Sequence, residues 1–428
     1  MKKFKITDLF SGCGGLSLGF VNAGYKINQA FEIDEYACAT YSRNLGVEPI
    51  CRDIAEVEDA EFTKTDVLLG GFPCQPFSLS GLQQGFLSRD GEGFSQCLRA
   101  IKLTNPTVVI LENVTGFKRL HGGVFHDLAI REIAALGYHV KSFELNTKDF
   151  QIPQARKRLF LVATNNGREV VPPLPSTQKP ISVKAAIDDL IGKEGKFPNH
   201  EPMKHTSRIV ERFSKTLPGE STRQAMDRDP TLGSAKITKQ CYRRMIAEEP
   251  APTLVASFVT TTIHYSEDRN ITAREGARIM SFPDNFIFEG LKTRMSWQHG
   301  LSQFEQIGNA VPPILAEHLA QMATGILMGT APEILISPTF QGDFFSDLDS
   351  RYEAVMDKIN RKKKSPSKRG RTSKFQEFYG ITEELTLGAE VDLPDGILDD
   401  QIFLDAAMRR RGINFEIVGD KKKRFRRI

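Results

Sequence analysis

The chain has 428 residues, of which 40% are hydrophobic and 26% are charged, and its formal net charge is +4. This length and composition are sufficient to bury a large core together with one or two smaller modules. The six cysteines show no C-x-x-C spacing and no apolar run approaches the length of a membrane span, which argues against a zinc module, a disulfide framework and a membrane protein. A reduced, cytoplasmic environment is therefore expected.

The N-terminal segment has the pattern of a strand that enters a glycine-rich turn and then a helix. Residues 6–10 read Ile-Thr-Asp-Leu-Phe, and residues 11–20 read Ser-Gly-Cys-Gly-Gly-Leu-Ser-Leu-Gly-Phe. Such a turn brings bare backbone close to a cofactor. It is not the dinucleotide-binding pattern G-x-G-x-x-G, because Ser17 replaces the third glycine. No Gly-Lys-Ser/Thr follows, as it would in a phosphate-binding loop.

Acidic residues follow the next two strand-like runs. The run over residues 27–31 ends at Glu32, 20 residues after Gly12, where a carboxylate can accept hydrogen bonds from ribose hydroxyls. A third element ends near Asp53 and Ile54, and the Asp53 carboxylate could meet an adenine amino group.

A fourth strand-like run, residues 66–69, leads into Gly70-Gly71-Phe72-Pro73-Cys74-Gln75-Pro76-Phe77-Ser78. A cysteine in a Gly/Pro-rich turn at the end of a strand is poorly placed for core packing, whereas ligands of α/β sheets collect there. For a lone cysteine, a small buried core residue is the alternative. The next segment, residues 80–91, has three glycines and few apolar anchors, a composition typical of a loop that closes over a substrate.

Two further segments supply a carboxyl group and two guanidinium groups. Residues 107–114, Thr-Val-Val-Ile-Leu-Glu-Asn-Val, predict a buried strand that delivers Glu112 to its end. A solvated cap or a salt-bridge partner is the alternative for such a glutamate. Residues 151–162 predict a strand on which Arg156 and Arg158 share one face and project the same way. The alternative there is an edge strand with a charged outer face.

In this order, these segments resemble the DNA (cytosine-5) methyltransferase family. The resemblance covers roughly residues 4–326, and its downstream part comprises Arg274 to Asp284 and Gln306 to Pro313. It implies an α/β fold in which a doubly wound, S-adenosylmethionine-dependent methyltransferase sheet carries an inserted, smaller target recognition domain and a C-terminal basic extension. It further implies double-stranded DNA as substrate, S-adenosylhomocysteine as product and no metal ion.

The resemblance also implies roles for individual residues. Cys74 would attack C6 of a flipped-out cytosine as a thiolate, which activates C5 for methylation. Glu112 would hydrogen-bond N3 and the exocyclic amine, while Arg156 and Arg158 would lower the pKa of Cys74 and hold the target's carbonyl or phosphate. The cofactor would be bound by Phe10, Ser11, Gly12, Gly14, Gly15, Leu16, Glu32, Ile33, Asp53, Ile54, Pro73, Asn309 and Ala310. The DNA-contacting loop would contribute Gln75, Ser78 and Ser80.

Composition and resemblance together predict four parts of the chain. Residues 1–166 form the first part of the catalytic domain, 167–270 the target recognition domain, 271–329 the end of the catalytic domain, and 330–428 a basic linker and extension. Residues 167–270 are polar and show little helical periodicity. Their candidate DNA contacts, which could equally be solvated surface charges, are Arg223, Lys236, Lys239, Arg243 and Arg244. The recognised base sequence does not follow from this region.

The C-terminal extension carries the positive excess of the chain. Residues 361–428 contain 17 Lys/Arg against 11 Asp/Glu. This balance favours an auxiliary DNA-binding element, and a solubilising tail is the alternative.

The resulting hypothesis is a monomeric DNA cytosine-5 methyltransferase of a bacterial or phage restriction-modification system, with a cognate restriction endonuclease as functional partner. A tRNA cytosine-5 methyltransferase is the first alternative, although the Cys-Phe-Thr signature of those relatives does not occur in the sequence. A catalytically silent DNA-binding relative is the second, and the presence of Cys74, Glu112, Arg156 and Arg158 argues against it.

Overall fold

The computed structural model describes residues 3–72, 92–233, 242–293, 299–334, 347–364, 390–392, 415–418 and 424–427. Five of the predicted site residues lie outside these ranges: Pro73, Cys74, Gln75, Ser78 and Ser80.

A seven-stranded sheet forms the centre of the fold, with the strand order β3-β2-β1-β4-β5-β8-β6. Its strands are β1 (Lys5–Leu9), β2 (Lys26–Glu32), β3 (Ile50–Cys51), β4 (Val67–Gly70), β5 (Val108–Val114), β6 (His139–Asn146) and β8 (Lys157–Thr164). The first five in spatial order from β3 to β5 are parallel, whereas β8 runs antiparallel to both β5 and β6. The predicted α/β sheet is therefore confirmed.

Two-residue strands pair outside this sheet, namely β7 (Gln154–Ala155) with β10 (Ala251–Pro252) and β9 (Arg243–Arg244) with β11 (Thr262–Ile263). The helices are α1 (Gly15–Asn22), α2 (Glu35–Leu45), α3 (Glu92–Thr104), α4 (Val124–Ala135), α5 (Val183–Ile187), α6 (Ser207–Ser214), α7 (Thr222–Arg228), α8 (Ala273–Ile279), α9 (Gln303–Asn309), α10 (Pro313–Leu327) and α11 (Leu348–Lys364). None of the helices in the described ranges is long and apolar enough to cross a membrane.

Each face of the sheet is buried, because successive strand residues point to opposite faces. Leu68 and Val109 belong to a core that includes residues of α3 and α4. Val67 and Ile110 belong to a second core with residues of α1 and α10. With helices on both faces, the carboxyl ends of β1, β2, β4 and β5 are the part of the sheet open to a ligand, as in other doubly wound folds.

One expectation about local structure was wrong. Residues 151–162 do not form one strand, because Gln154–Ala155 pairs with Ala251–Pro252 and only Lys157–Thr164 joins the main sheet. The described residues between 167 and 270 contain three α-helices, α5 to α7, although the sequence there shows little helical periodicity. These helices are short, and two of them have side-chain caps, Ser182 for α5 and Ser221 for α7, which a search for periodicity does not detect.

The chain divides into two compact units, residues 1–293 with 300–359 and residues 294–299 with 360–428. In the first unit, α11 packs on α4: Tyr352 meets Phe125 edge to face, and Arg351 pairs with Asp127 at 2.7 Å. In the second unit, β12 (Glu390–Asp392), β14 (Arg424–Arg427) and β13 (Phe415–Val418) form an antiparallel sheet in that order. The first basic residues of the C-terminal extension, 361–364, belong to α11.

Candidate active site

A cavity of about 580 Å³ lies at the carboxyl ends of β1, β2, β4 and β5. This volume is within the usual range for a small-molecule site. The predicted cofactor residues that line it are Phe10, Ser11, Gly12, Gly15, Leu16, Glu32, Ile33, Asp53, Ile54, Asn309 and Ala310. Glu112 lines the same cavity, so the structure brings one predicted catalytic residue into contact with the predicted cofactor site.

The carboxylate of Glu32 is fixed by three backbone N–H groups. Its Oε2 accepts a hydrogen bond from Gly12 at 2.7 Å, and its Oε1 accepts from Ile33 and Asp34, each at 2.9 Å. Burial raises the pKa of Glu32, while these N–H groups oppose the shift. Because a carboxylate oxygen accepts about two hydrogen bonds, Oε2 keeps an acceptor site for a hydroxyl of a bound ligand.

The glycine-rich turn contains one predicted cofactor residue that does not line the cavity. Gly14 precedes α1 in a left-handed conformation with φ of +93°, and a β-carbon there would lie 2.8 Å from the ring of Tyr41. Its lack of a side chain therefore serves the packing of the turn against α2. Phe10, which does line the cavity, is a non-glycine residue with φ of +55°. Such backbone strain is concentrated at functional sites.

Asp8 is a buried carboxyl group in the cavity wall that received no role in the sequence analysis. Its Oδ2 accepts a hydrogen bond from Ser17 Oγ at 2.6 Å, and Ser17 Oγ accepts one from the Tyr41 hydroxyl at 2.8 Å. Burial raises the pKa of Asp8 to about 7, an effect that the Ser17 hydrogen bond opposes and the charge of Glu32 increases. The sequence signal for a role of Asp8 was a charged residue inside the strand-like run Ile-Thr-Asp-Leu-Phe.

The raised pKa of Asp8 predicts a stability cost at high pH. Between about pH 4 and pH 7, the folded protein holds a proton that the unfolded chain has lost, so the free energy of unfolding falls as the pH rises through this window. Asp8→Asn removes this dependence, and we expect it to stabilise the protein at pH 8 by up to a few kcal/mol, since one pKa unit corresponds to about 1.4 kcal/mol.

Urea unfolding at pH 5 and pH 8 measures the effect. Exposed Glu144 on β6 offers a matched control, and Glu144→Gln should show the wild-type difference between the two pH values. If the free energy of unfolding of Asp8→Asn differed between pH 5 and pH 8 by as much as that of the wild type, the assignment of this pH dependence to Asp8 would be contradicted.

Removal of the Glu32 carboxylate should weaken cofactor binding. For Glu32→Ala we expect a loss of roughly 1–3 kcal/mol, because a charge-assisted acceptor for ribose hydroxyls and the anchor of Gly12 both disappear. Calorimetric titration with S-adenosylmethionine measures the dissociation constant. Glu35→Ala, which removes an exposed carboxylate three residues later, is the control and should bind like the wild type. Equal constants for Glu32→Ala and the wild type would remove Glu32 from the cofactor site.

Glu112 and Arg158 form an ion pair at the end of β5. Arg158 Nε lies 2.8 Å from Glu112 Oε1, and the two side chains are only 13% and 12% exposed. Burial raises the pKa of Glu112, although Arg158 and Arg156 oppose the shift. Burial likewise lowers the pKa of Arg158. The pair thus presents a desolvated carboxyl group, held in position by a guanidinium group, to the cavity.

Arg156 lies between β7 and β8 rather than on one strand with Arg158, and its charge still acts on Glu112 and Arg158. Its guanidinium group donates to the carbonyl oxygens of Leu254 at 2.7 Å and Gly308 at 2.9 Å. The side chain is 1% exposed, and burial lowers the pKa of Arg156 to about 9. Arg156 therefore joins the segment around Leu254 to the turn that carries Asn309 and Ala310, and its catalytic role stays a prediction.

A side chain of β5 holds the segment that follows β4 and leads to Cys74. Asn113 Nδ2 donates to the carbonyl oxygen of Phe72 at 3.1 Å, and the Phe72 ring is buried against Phe94 and Phe117. Cys74, two residues further on, lies outside the described residues, as do Pro73, Gln75, Ser78 and Ser80.

The region predicted to recognise the target contains one arginine with a structural role. Arg244 is 6% exposed and donates to the carbonyl oxygens of Thr216, His264 and Phe213 and to the carboxylate of Asp268. It is neither a solvated charge nor an available DNA contact, so both readings of this residue were wrong. Arg223 and Arg243 are exposed, and Lys236 and Lys239 lie outside the described residues.

Two residues far along the chain complete the cavity wall. Leu301 donates its backbone N–H to Asp34 Oδ2 at 2.7 Å, and Gln306 accepts a hydrogen bond from Thr40 Oγ1 at 2.7 Å. Both therefore attach to α2 or to its N-cap Asp34. Gln306 belongs to a segment of the family resemblance but was given no role there, whereas no local sequence signal could have located Leu301. Among the described residues, no group of three His, Cys, Asp or Glu side chains could hold a metal ion. Metal-free chemistry stays a prediction.

The doubly wound sheet with a cavity at its carboxyl edge defines an α/β fold that carries a small-molecule site. The fold is similar to that of a putative DNA modification methyltransferase from an E. coli prophage, with a TM-score of 0.60 and 22% identity over 76% of this chain and 100% of that chain. At this identity, the likeness shows the fold alone.

Residues 4–324 match the family of C-5 cytosine-specific DNA methylases, and the chain belongs to this family. It is 37% identical to the Type II methyltransferase M.DdeI of Desulfomicrobium norvegicum over 74% of this chain and 87% of the relative. It is 32% identical to M1.HphI of Haemophilus parahaemolyticus over 73% of this chain and 85% of the relative. The protein is therefore an S-adenosylmethionine-dependent DNA cytosine methyltransferase, which confirms the resemblance found in the sequence.

Proposed function

We propose that this protein methylates C5 of a flipped-out cytosine in a specific duplex DNA sequence, through a covalent bond between Cys74 and C6. The observation that carries the proposal is the Glu112–Arg158 ion pair in the wall of the cavity, beside the predicted cofactor residues. The hydrogen bond from Asn113 to Phe72 supports it, because it fixes the chain two residues before Cys74 to the strand of Glu112.

The cavity residues fit S-adenosylmethionine. Four carboxyl groups, those of Asp8, Glu32, Asp53 and Glu112, line the wall and suit a ligand that carries positive charge. Phe10 and Ile33 add apolar surface, and Glu32 Oε2 offers an acceptor for a ribose hydroxyl. S-adenosylmethionine supplies an electrophilic methyl group bonded to a sulfonium.

The residues of this chain would activate the cytosine and release it. The Cys74 thiolate adds to C6, and the electrons of the C5–C6 double bond move onto the ring and make C5 nucleophilic. Glu112 hydrogen-bonds N3 and the exocyclic amine and stabilises the charge that develops there, while Arg158 holds the Glu112 carboxyl group in place. After C5 is methylated, loss of the C5 proton and departure of the Cys74 thiolate restore the aromatic ring.

The described contacts suggest that Arg156 and Arg158 have different roles. Arg158 would act at the base through Glu112, whereas Arg156 would position the turn of Asn309 through the carbonyl group of Gly308. We therefore propose Arg156 as a positioning residue.

Modification in a restriction-modification system is the biological role that the relatives favour, since several of them are named Type II methyltransferases. On this proposal, a restriction endonuclease of the same specificity is the functional partner. The nucleophilic thiol requires a reducing compartment, which supports the bacterial cytoplasm. The missing Cys-Phe-Thr signature and the similarity to Type II methyltransferases argue against the tRNA alternative.

Transfer of labelled methyl groups from S-adenosylmethionine to duplex DNA or to tRNA tests the proposal. We expect label in duplex DNA alone, recovered as 5-methylcytosine after digestion to nucleosides. Label in tRNA, or in N4-methylcytosine, would contradict it. Sequencing of the methylated DNA then gives the recognised sequence.

A further inference from the structure

Two arginines of α6, Arg208 and Arg212, lie next to the same glycine. A β-carbon built on Gly233 would lie 2.8 Å from Nη2 of Arg212 and 3.0 Å from Nη2 of Arg208. Gly233 has φ of +110°, a conformation that other residues rarely adopt. The two guanidinium groups therefore pack against the same glycine and lie close to each other, in space that a side chain at position 233 would need.

The positive charge of this pair is not compensated. Within the part of the chain that the structure describes, neither guanidinium group forms an ion pair, and Arg212 donates from Nε to the neutral carbonyl oxygen of Leu232 at 2.9 Å. Residues 234–241, which follow Gly233 in the sequence, include two lysines and no acidic residue. Like charges four residues apart destabilise a helix, so an anion bound between them would relieve an existing repulsion.

The pair is held on a fixed support and is accessible to a ligand. Phe213 on α6 is 1% exposed, and Arg244 donates to the carbonyl oxygens of Phe213 at 2.5 Å and Thr216 at 2.7 Å at the end of the helix. Arg208 is exposed. Paired guanidinium groups on a rigid element match the oxygen atoms of a phosphate group, because each can donate two parallel hydrogen bonds.

We propose that Arg208 and Arg212 bind a backbone phosphate of duplex DNA. The inference rests on the proposed function, in that it takes duplex DNA as the substrate. Phosphate contacts fix the position of a protein on the duplex but carry no sequence information. The pair should therefore set affinity and salt dependence, and it should leave the recognised sequence unchanged.

Salt-dependent binding of Arg208→Gln tests the proposal. Fluorescence anisotropy is measured over a range of salt concentrations with a duplex that the wild type methylates and with one that it does not. Loss of one phosphate contact should lower the magnitude of the slope of log K against log salt by about 0.9, equally for both duplexes. Arg208→Lys keeps the charge and should retain the wild-type slope.

Arg228 on the neighbouring helix α7 provides the matched control. It is also exposed but already pairs with Glu220 at 2.9 Å, so Arg228→Gln changes the net charge equally without removing an uncompensated cation. Its slope should equal that of the wild type.

Three results would overturn the proposal: a wild-type slope for Arg208→Gln, an equal reduction for Arg228→Gln, or a loss of affinity on the methylated duplex alone. The last result would indicate a contact with a base. A failure of the proposed function is recognised separately, because it shows as missing 5-methylcytosine with the wild-type enzyme.

Discussion

Replacement of Cys74 by serine should lower kcat by on the order of 10³-fold or more, because a hydroxyl group is far harder to ionise at neutral pH than a thiol. Binding of S-adenosylmethionine should stay close to that of the wild type, since the predicted cofactor residues around the cavity are unchanged. Transfer of labelled methyl groups to duplex DNA and calorimetric titration of the cofactor measure the two quantities.

Replacement of a second cysteine, outside the site, provides the control for the loss of a thiol group. Cys51 is exposed and does not line the cavity, so Cys51→Ser should keep wild-type activity. Substantial methyl transfer by Cys74→Ser would show that another residue, or no residue, forms the bond to C6.

Replacement of Glu112 by glutamine should lower kcat by roughly 10²–10⁴-fold, the usual contribution of a positioned acid or base. Glutamine keeps the size of the side chain but cannot be protonated or carry the charge that pairs with Arg158. The dissociation constant of S-adenosylmethionine should change little by comparison, so the loss should lie in kcat.

A double-mutant cycle with Arg158→Met separates a joint role from two independent ones. If Arg158 acts by holding Glu112, the double variant should be about as slow as the slower single variant, because residues that act as a unit are not additive. If the loss in kcat of the double variant equalled the product of the two single losses, the two residues would act independently, and that arrangement would be contradicted. Thermal unfolding of each variant identifies any loss of fold, since removal of one partner leaves a buried charge unpaired.

The parts of the site that the sequence predicted well are those determined by local pattern. Glu32 ends a strand-like run, and Glu112 directly follows the apolar residues 108–111 of its strand. Since ligands bind at the carboxyl ends of parallel strands, each pattern predicted a carboxyl group at the ligand-binding edge of the sheet. Both residues line the cavity.

The parts that failed depend on contacts between distant segments. Arg156 lies where the chain leaves the sheet, because the residues before it pair with Ala251–Pro252, about a hundred positions later. Arg244 is buried because carbonyl groups from several turns converge on its guanidinium group. Leu301 reaches the cavity through a hydrogen bond to Asp34. No local pattern contains these pairings, since each is set by tertiary packing.

The covalent mechanism is tested most directly by duplex DNA in which every cytosine is replaced by 5-fluorocytosine, so that the unknown target sequence is included. After methylation of such a base, C5 carries fluorine instead of a removable proton, and the bond between the enzyme and C6 cannot be released. We predict a complex that survives denaturation, forms only when S-adenosylmethionine is present, and maps by mass spectrometry to the peptide that contains Cys74. The absence of this complex during active methylation of ordinary DNA, or its attachment to a different residue, would contradict the account.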